Sequence, residues 1–541
     1  MSVRKVGNDF FLLSVVALVV AVTGAPQAQT RPEAQRLGQV HLPISCTEAA
    51  QKHFNRAVAL LHSFWYEKAA ATFSDAAKQD PSCAMAYWGR AMTHYHPLWE
   101  PPNTASLEAG RAAIEKAKAL APQTGRERDY IAALVTFFQN FETVDHGSRV
   151  QAYEKAMEQL QRRYPDDRET EIFHALSLLG TASASPPDEN YTKQKQAGEI
   201  LVALFKDQPE HPGLAHYIIH SYDYPELAPR ALEAARRYAN IAQDSPHALH
   251  MPSHIFTRLG LWEESILSNL DSAAAAHRHS LPGDELHALD YLMYAYLQRG
   301  QDRKARELRA ELRENPEGIS SYFAGLYASA AMPARYVLER HQQMEAALLQ
   351  PPAGAFPGGR YAFTGAVFHF TRGLGAARTG DLAAARETVA QLEAARDAVK
   401  HAKGDYWAGV VEVQRQTVAA WLSLAEDKKE EALEQMRAAA DREDALGKHP
   451  VTPGAVLPAR ELLGEMLLEL EQPEPALEEF EAVLRASRNR FNALYGAARA
   501  AERAGKLKEA RQFYAQLVKL AQAGDGKRPA VLEAQAFLAK E

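Results

Sequence analysis

The sequence predicts an all-α fold arranged as a solenoid of helical hairpins, and two observations support this prediction. Residues that favour helices, chiefly Ala, Leu, Glu, Arg and Gln, dominate nearly every segment of the 541-residue chain. Small and aromatic residues also recur at a fixed period, since Ala476 and Phe480 precede Ala510 and Tyr514 by 34 residues. Such a period is typical of stacked hairpins, in which each unit packs on its neighbours.

Two further blocks carry the same order of small and aromatic positions. They are EKAAATFSDAAKQDP at 67–81 and RGLGAARTGDLAAARETV at 372–389. These residues resemble the tetratricopeptide repeat (TPR), in which small residues let the two helices of a hairpin touch. The resemblance implies a right-handed superhelical solenoid with a concave groove that binds a protein, a peptide or a small molecule. Other blocks, such as HPGLAHYIIHSYD at 211–223, resemble an exported bacterial subgroup with no assigned activity.

The N-terminus has the layout of a secretory signal peptide over residues 1–28. Arg4 and Lys5 precede an apolar run at 10–22, which is followed by small residues up to Ala28. This pattern predicts a periplasmic or secreted protein. The apolar run is short for a bilayer, so we expect no stable membrane insertion after cleavage, with an uncleaved anchor as the alternative.

The charge of the chain argues against two classes of partner, and its lack of certain motifs argues against two classes of catalysis. The formal net charge is -7 and Lys and Arg form no cluster, so we expect neither nucleic acid nor an anionic membrane surface as a partner. The chain also lacks the GxSxG, P-loop and GxGxxG motifs. Catalysis by an activated serine or with a bound nucleotide is therefore not predicted, and no catalytic residue is assigned.

Pro- and Gly-rich segments predict the division of the array. The stretch LQPPAGAFPGGR at 349–360 reads as a loop between an N-terminal array at 40–348 and a C-terminal array at 361–541. A Gly-containing stretch at 524–529 precedes a last helix, which we expect to cap the solenoid. Cys46 and Cys83 each precede a predicted helix of neighbouring hairpins, and in an exported protein they form either a disulfide or two buried thiols.

Histidine is concentrated in the N-terminal array. Nine of the 20 histidines lie between His211 and His287, and three of them fall in the octapeptide HALHMPSH at 247–254. The repeat register that the resemblance implies turns His247, His250 and His254 towards the groove. Applied to the two neighbouring hairpins, it adds His216, His220, Asp223, His287 and Asp290.

This set of side chains predicts a metal centre. Two pairs, His216 with His220 and His250 with His254, have the i, i+4 spacing with which a helix presents two ligands to one ion. Nitrogen and carboxylate donors without thiolate suit Zn, Cu, Fe or Mn, and eight candidates are enough for two ions or for one ion with supporting residues. The alternative is that the histidines bind only one another and backbone carbonyls.

Two prolines occupy one helical position in different hairpins. Pro252 and Pro333 both follow a methionine, and because proline removes a backbone donor we expect a break in each helix. The breaks would turn His254 and Arg335 towards the groove, where Arg335 binds an anionic ligand or, as the preferred alternative, pairs with a carboxylate. His96, Trp99 and Tyr294 are further candidates for groove-lining residues.

Three functional hypotheses follow from the sequence. The first is an exported TPR-like solenoid that binds a ligand or partner in its groove and holds a His/Asp transition-metal centre. The second is a metal-dependent enzyme, either a hydrolase or an oxidoreductase, that uses this centre. The third is a metal-free scaffold for protein-protein interaction, since fold alone does not decide function.

Overall fold

The computed structural model describes residues 36–99, 101–314, 323–351, 356 and 358–540. Within these ranges the chain is an all-α solenoid of helical hairpins, and no β-strand forms. Consecutive helices pack against each other along the chain, as α-helical hairpins require. None of the described helices combines the length and the apolar character needed to cross a bilayer. The predicted signal peptide lies outside the described residues.

The first part of the array surrounds a hydrophobic core that extends from Leu37 to Leu259. Its helices are α1 (Glu48–His62), α2 (Tyr66–Gln79), α3 (Ala84–Met92), α4 (Thr104–Ala119), α5 (Gly125–Phe138), α6 (His146–Arg163), α7 (Arg168–Ser183), α8 (Thr192–Asp207), α9 (Pro212–Tyr222), α10 (Leu232–Ile241), α11 (Pro246–His250) and α12 (Pro252–Leu259). Close helix contact requires small residues: a Cβ on Gly89 would lie 2.2 Å from the ring of Phe73.

The second part surrounds a core that extends from Trp262 to Ala534. Its helices are α13 (Trp262–Arg278), α14 (Pro282–Gln298), α15 (Asp302–Glu314), α16 (Phe323–Leu338), α17 (Gln343–Ala347), α18 (Ala362–Thr379), α19 (Leu382–His401), α20 (Asp405–Ala425), α21 (Lys429–Leu446), α22 (Ala459–Glu469), α23 (Pro473–Ala486), α24 (Phe491–Arg503), α25 (Leu507–Leu520) and α26 (Pro529–Leu538). The last helix, α26, follows the 524–529 stretch. Residues 352–355 and 357 lie outside the described residues, and the division of the chain at 349–360 stays a prediction.

The C-terminal hairpins return to pack against the middle of the chain. The indole of Trp262 donates a hydrogen bond to the carbonyl of Asn489 at 2.9 Å. The guanidinium of Arg490, which is fully buried, forms ion pairs with Glu461 at 2.7 Å and Glu339 at 2.8 Å. It also donates a hydrogen bond to the hydroxyl of Tyr294. A buried cation held by residues so distant in sequence ties the far end of the array to α14 and α16.

The two cysteines form a disulfide in the structure. Cys46 and Cys83 are bonded, with their Cα atoms 5.3 Å apart. The bond joins the segment before α1 to the residue that precedes α3. Of the two alternatives left open by the sequence, the structure contains the disulfide.

The two prolines behave differently, so one of the predicted helix breaks is wrong. α11 ends at His250 and α12 begins at Pro252, with Met251 between them as a turn. Pro333, however, lies inside the continuous helix α16. Every residue of α16 is buried. Packing on all sides holds the helix together across the missing hydrogen bond, which the local sequence could not reveal.

Candidate metal centre

Six of the predicted histidines meet as two groups of three. The first triad consists of His216 and His220 from α9 and His247 from α11. The second triad consists of His250 from α11, His254 from α12 and His287 from α14. In each triad, one ring nitrogen per residue lies within 4.8 Å of those of the other two. The octapeptide at 247–254 therefore supplies both triads.

In the first triad, the ring nitrogens converge on His216. Its Nε2 atom lies 3.1 Å from Nε2 of His220 and 3.2 Å from Nε2 of His247. Its Nδ1 atom donates a hydrogen bond to the carbonyl of His62 at 2.6 Å. A carbonyl only accepts, so Nδ1 carries the proton and Nε2 of the neutral ring presents a lone pair.

In the second triad, two rings are fixed in the same way. Nδ1 of His250 donates to the side-chain oxygen of Asn269 at 2.7 Å, and the amide nitrogen of Asn269 donates to the carbonyl of Ser265. Nδ1 of His254 donates to Asp223 at 3.0 Å. The two Nε2 atoms, each with a lone pair, then face each other at 3.0 Å. Two lone pairs repel at this distance unless a proton or a metal ion lies between them.

Burial keeps the six rings neutral. Desolvation is the largest cause that lowers the pKa of each of these histidines below 6.5, and neighbouring imidazoles lower several of them further. A shared proton is therefore disfavoured, whereas neutral imidazole is the form that binds metal. Nitrogens bound tetrahedrally at about 2.0 Å would lie roughly 3.3 Å apart. The pairs His216–His220, His216–His247 and His250–His254, at 3.0–3.2 Å, are close to this spacing, and the remaining pairs of each triad lie within 4.8 Å.

Asp223 supports the second triad from behind. Besides His254, its carboxylate accepts from Arg258 at 2.8 Å and from Lys448 at 2.9 Å. Burial alone would raise its pKa, but Lys448, Arg258 and the bond from His254 bring the pKa of Asp223 well below its ordinary value. The carboxylate is thus ionised and orients His254. The sequence predicted Asp223 as a ligand, whereas in the structure its carboxylate accepts from Nδ1 of His254, while Nε2 of that ring faces His250.

Asp290 is the predicted ligand that the structure does not bring to the histidines. Its carboxylate accepts from Nε of Arg335 at 3.0 Å. The rest of that guanidinium donates to the carbonyls of Gly454 and Ala455. Because Arg335 is fully buried, it needs a counter-ion, and Asp290 supplies it. Of the two alternatives for Arg335, pairing with a carboxylate is the one in the structure.

The predicted groove-lining aromatic residues differ in their positions. The half-buried ring of Trp99 lies 5.8 Å from His220 and 5.9 Å from His247, so it forms a wall of the first triad. His96 stacks on Tyr66 instead, with ring centroids 4.2 Å apart. Tyr294 is buried and its hydroxyl accepts from Arg490, away from the triads.

Several residues near the triads could not be found from the sequence. Lys448 lies in the segment between α21 and α22, and burial lowers the pKa of its ammonium to about 8. Its Nζ also donates to the carbonyl of Thr452, which accepts from the hydroxyl of Tyr291 at 3.0 Å. Tyr291 in turn lies 3.4 Å from Nε2 of His254. These contacts form because the segment between α21 and α22 packs against α14, and only a tertiary structure reveals them.

A third group of titratable residues, His62, Glu169 and His211, is a hydrogen-bonded network. Nε2 of His62 donates to one oxygen of Glu169 at 3.0 Å, and Nε2 of His211 donates to the other at 2.9 Å. Nδ1 of His62 accepts from Tyr217. Hydrogen bonds to Glu169 account for both Nε2 atoms, unlike the facing Nε2 atoms of His250 and His254.

A large groove lies apart from the two histidine triads. Its volume is about 1270 Å³, and it is lined by residues of α15, α16, α18, α22, α23, α24 and α26 and of the segments that follow α16 and precede α26. Phe480, Phe491 and Tyr495 contribute aromatic surface, and arginines and carboxylates line much of the rest. None of the six triad histidines lines this groove.

Comparisons with known proteins give matches among solved structures. No family model matches it, and no curated protein matches it. Similar solved structures include YrrB, a TPR protein with an unusual peptide-binding site, which is 18% identical over 37% of this chain and 90% of its own, with a TM-score of 0.20. The P58(IPK) TPR domain is 14% identical over 91% and 99%, with a TM-score of 0.20. Naa15/Naa10 bound to HypK-THB is 12% identical over 91% of both chains, with a TM-score of 0.24.

Proposed function

We propose that each triad binds one first-row transition-metal ion, so that the chain is an exported helical solenoid with a two-ion centre. The observation that carries the proposal is the approach of Nε2 atoms to 3.0–3.2 Å around His216, His250 and His254, three rings whose Nδ1 atoms already donate hydrogen bonds. Three nitrogen donors without thiolate or carboxylate favour Zn or Cu over Mn.

The hydrogen bonds behind the rings support this proposal. A metal-bound histidine almost always donates its other ring N–H to a carboxylate, an amide or a carbonyl. His254, His250 and His216 use one partner of each kind, namely Asp223, Asn269 and the carbonyl of His62.

Elemental analysis of the protein, purified without a histidine tag and dialysed against buffer containing Zn or Cu, tests the proposal. We expect two ions per chain in the wild type. His250→Ala and His254→Ala should each reduce this to one, because they remove ligands of the second triad alone. His277→Ala is the matched control, since this histidine is exposed and lies outside both triads. A wild type without stoichiometric metal would favour the metal-free scaffold.

Export is part of the proposal and rests on the pattern of residues 1–28. Fusing residues 1–60 to a phosphatase that lacks its own signal and is active only after export tests it. We expect phosphatase activity in a bacterial host, and loss of that activity when a charged pair is placed in the apolar run at 10–22. An inactive wild-type fusion would contradict export.

A metal-dependent enzyme is the second candidate. Three protein ligands leave the fourth position of a tetrahedral ion for water or substrate, which is the arrangement of catalytic rather than structural zinc sites. A substrate screen that compares the metal-loaded protein with the metal-free protein tests this idea. Turnover that requires metal and is lost in His254→Ala would support catalysis, and metal binding without any turnover would leave the binding function.

The groove of about 1270 Å³ favours partner binding as a further activity. Of the carboxylates that line it, Asp302 is paired with Arg528, and Glu465 and Glu469 are paired with Arg378. Asp525 accepts from the backbone N–H of Arg303, which leaves Glu471 as an exposed carboxylate without an ion pair to a described residue. The exposed Arg303, Arg306 and Lys527 make no ion pair with any described residue. The groove is therefore complementary to a chain segment that carries carboxylates.

Fluorescence anisotropy with a labelled acidic octapeptide tests this charge complementarity. We expect binding that weakens with salt, and a loss of affinity of about tenfold or more in the double variant Arg303→Glu/Arg306→Glu. Lys155→Glu/Lys206→Glu is the control, because it makes the same change of net charge on exposed residues outside the groove. Equal losses in both double variants would refute a specific site.

A further inference from the structure

We infer that the two proposed ions form one centre and that a single small anion bridges them. The inference rests on the proposed function and concerns the relation between the two triads. The two triads are adjacent in the chain. His247 and His250 are three residues apart in α11, yet the first belongs to one triad and the second to the other.

The rings of the two triads face each other across a short gap. The ring centroids of His247 and His250 are 6.3 Å apart, and those of His220 and His254 are also 6.3 Å apart. Each triad thus contributes two rings to the same gap. Ions bound about 2 Å from nitrogens of these rings are close enough for one ligand of two or three atoms to touch both.

The charges around the gap require an anion. Six neutral imidazoles contribute no charge, and two divalent ions bring four positive charges into a buried site. Asp223 is the carboxylate in contact with the second triad, and it is already paired with both Arg258 and Lys448. These three side chains together add a further positive charge. Burial of so much charge without compensation is costly, so the open position of each ion should take up a negatively charged ligand.

The surrounding rings limit the size of that anion. Phe64 packs on His216 with ring centroids 4.4 Å apart, and Tyr291 packs on His250 at 4.6 Å. Trp99 closes the side near His220 and His247. Aromatic rings packed on both triads favour a small anion of two or three atoms, such as azide, over a bulky carboxylate.

Electron paramagnetic resonance of the Cu²⁺-loaded full chain, with azide as the probe, tests the inference. We expect two Cu²⁺ per chain, a spectrum broadened by coupling between the two ions, and one azide bound per pair of ions. His220→Ala and His287→Ala should each leave one Cu²⁺ per chain with the spectrum of an isolated ion. Azide affinity should fall at least tenfold in both variants, because each has lost one end of the bridge.

The outcomes separate the bridge from the metal sites themselves. Two Cu²⁺ per chain with uncoupled signals, and azide affinity unchanged in the single-triad variants, would overturn the bridged centre and leave the proposed function intact. A wild type that binds no stoichiometric Cu²⁺ would overturn both. His277→Ala should match the wild type in every measurement. The ion that remains in each single-triad variant also reports that the variant has folded.

Discussion

Replacing Asp223 by Asn separates the two roles of this carboxylate, which are to orient His254 and to balance buried charge. The wild-type side chain is 7% exposed and contacts His254, Arg258 and Lys448 within 3.0 Å. Asparagine has nearly the same shape and keeps one acceptor oxygen, but it lacks the charge. Asp223→Asn therefore leaves two buried cations with no anion at this position.

The structure sets the size of both effects. Removing one partner of a buried ion pair costs about 3–5 kcal/mol, and the amide oxygen of asparagine retains part of the hydrogen bonding. We therefore expect the free energy of unfolding of the metal-free protein to fall by about 3 kcal/mol. Loss of the group behind a metal-bound histidine typically reduces metal affinity 10- to 100-fold, and here only the second triad should be affected.

Urea unfolding and metal titration measure the two effects separately. In a His220→Ala background, the remaining ion reports the second triad alone, and its affinity can be compared with and without Asp223→Asn. Asp441→Asn is the control, because that carboxylate is 74% exposed and its pairing with Arg460 should contribute little to stability. Adding Lys448→Met to Asp223→Asn should restore part of the stability without restoring metal affinity.

The reasoning is refuted if Asp223→Asn changes stability by less than about 1 kcal/mol and metal affinity by less than about twofold. An equal loss of affinity in the first triad, measured in a His287→Ala background, would also refute it. That result would mean that Asp223 acts on the whole fold rather than through His254.

Three further predictions concern stability. Burial lowers the pKa of all six triad histidines below 6.5, so at acidic pH the unfolded chain binds protons that the folded chain excludes. The metal-free protein should therefore lose stability as the pH falls below about 6.5, by up to about 1.4 kcal/mol per pH unit per histidine. The measurement is the melting temperature, which should fall between pH 7.5 and pH 5.5. Cys46→Ser/Cys83→Ser should cost about 4 kcal/mol in urea unfolding, since the disulfide spans 37 residues; stability equal to that of the wild type would contradict this. Gly496→Ala would place a Cβ 2.3 Å from the ring of Phe480 and should cost about 1–3 kcal/mol in thermal unfolding, whereas Gly365→Ala, also inside a helix but with nothing within 4 Å of the added Cβ, serves as the control for packing.

The sequence pattern was informative where a property depends on local spacing. The 34-residue period predicted the hairpins, and the i, i+4 spacing predicted that His216 pairs with His220 and His250 with His254. The pattern was less informative about which side chain each candidate residue contacts. Asp290 has the same spacing from His287 as a ligand would, but a buried arginine 45 residues away takes its carboxylate.

Pro252 and Pro333 illustrate the same limit. Both occupy the same position in their hairpins, and both remove a backbone donor. The helix ends only at the first, because α16 is buried along its whole length and packing outweighs the lost hydrogen bond. A local rule therefore gives the free-energy cost of placing a proline in a helix, while the tertiary contacts decide whether the helix ends there.

The helical class of this protein, the hairpin period and the concentration of histidines in one part of the chain can all be predicted from the sequence, because each depends on residue type and spacing along the chain. The division of six histidines into two triads, the contact of Asp223 with Nδ1 of His254, and the approach of Lys448 from 225 residues away become visible only in the folded chain. They do so because histidine clusters and charge pairs depend on distances of about 3 Å between side chains. Those distances are set by how the hairpins pack and by the return of the C-terminal array, and neither is encoded in a local pattern.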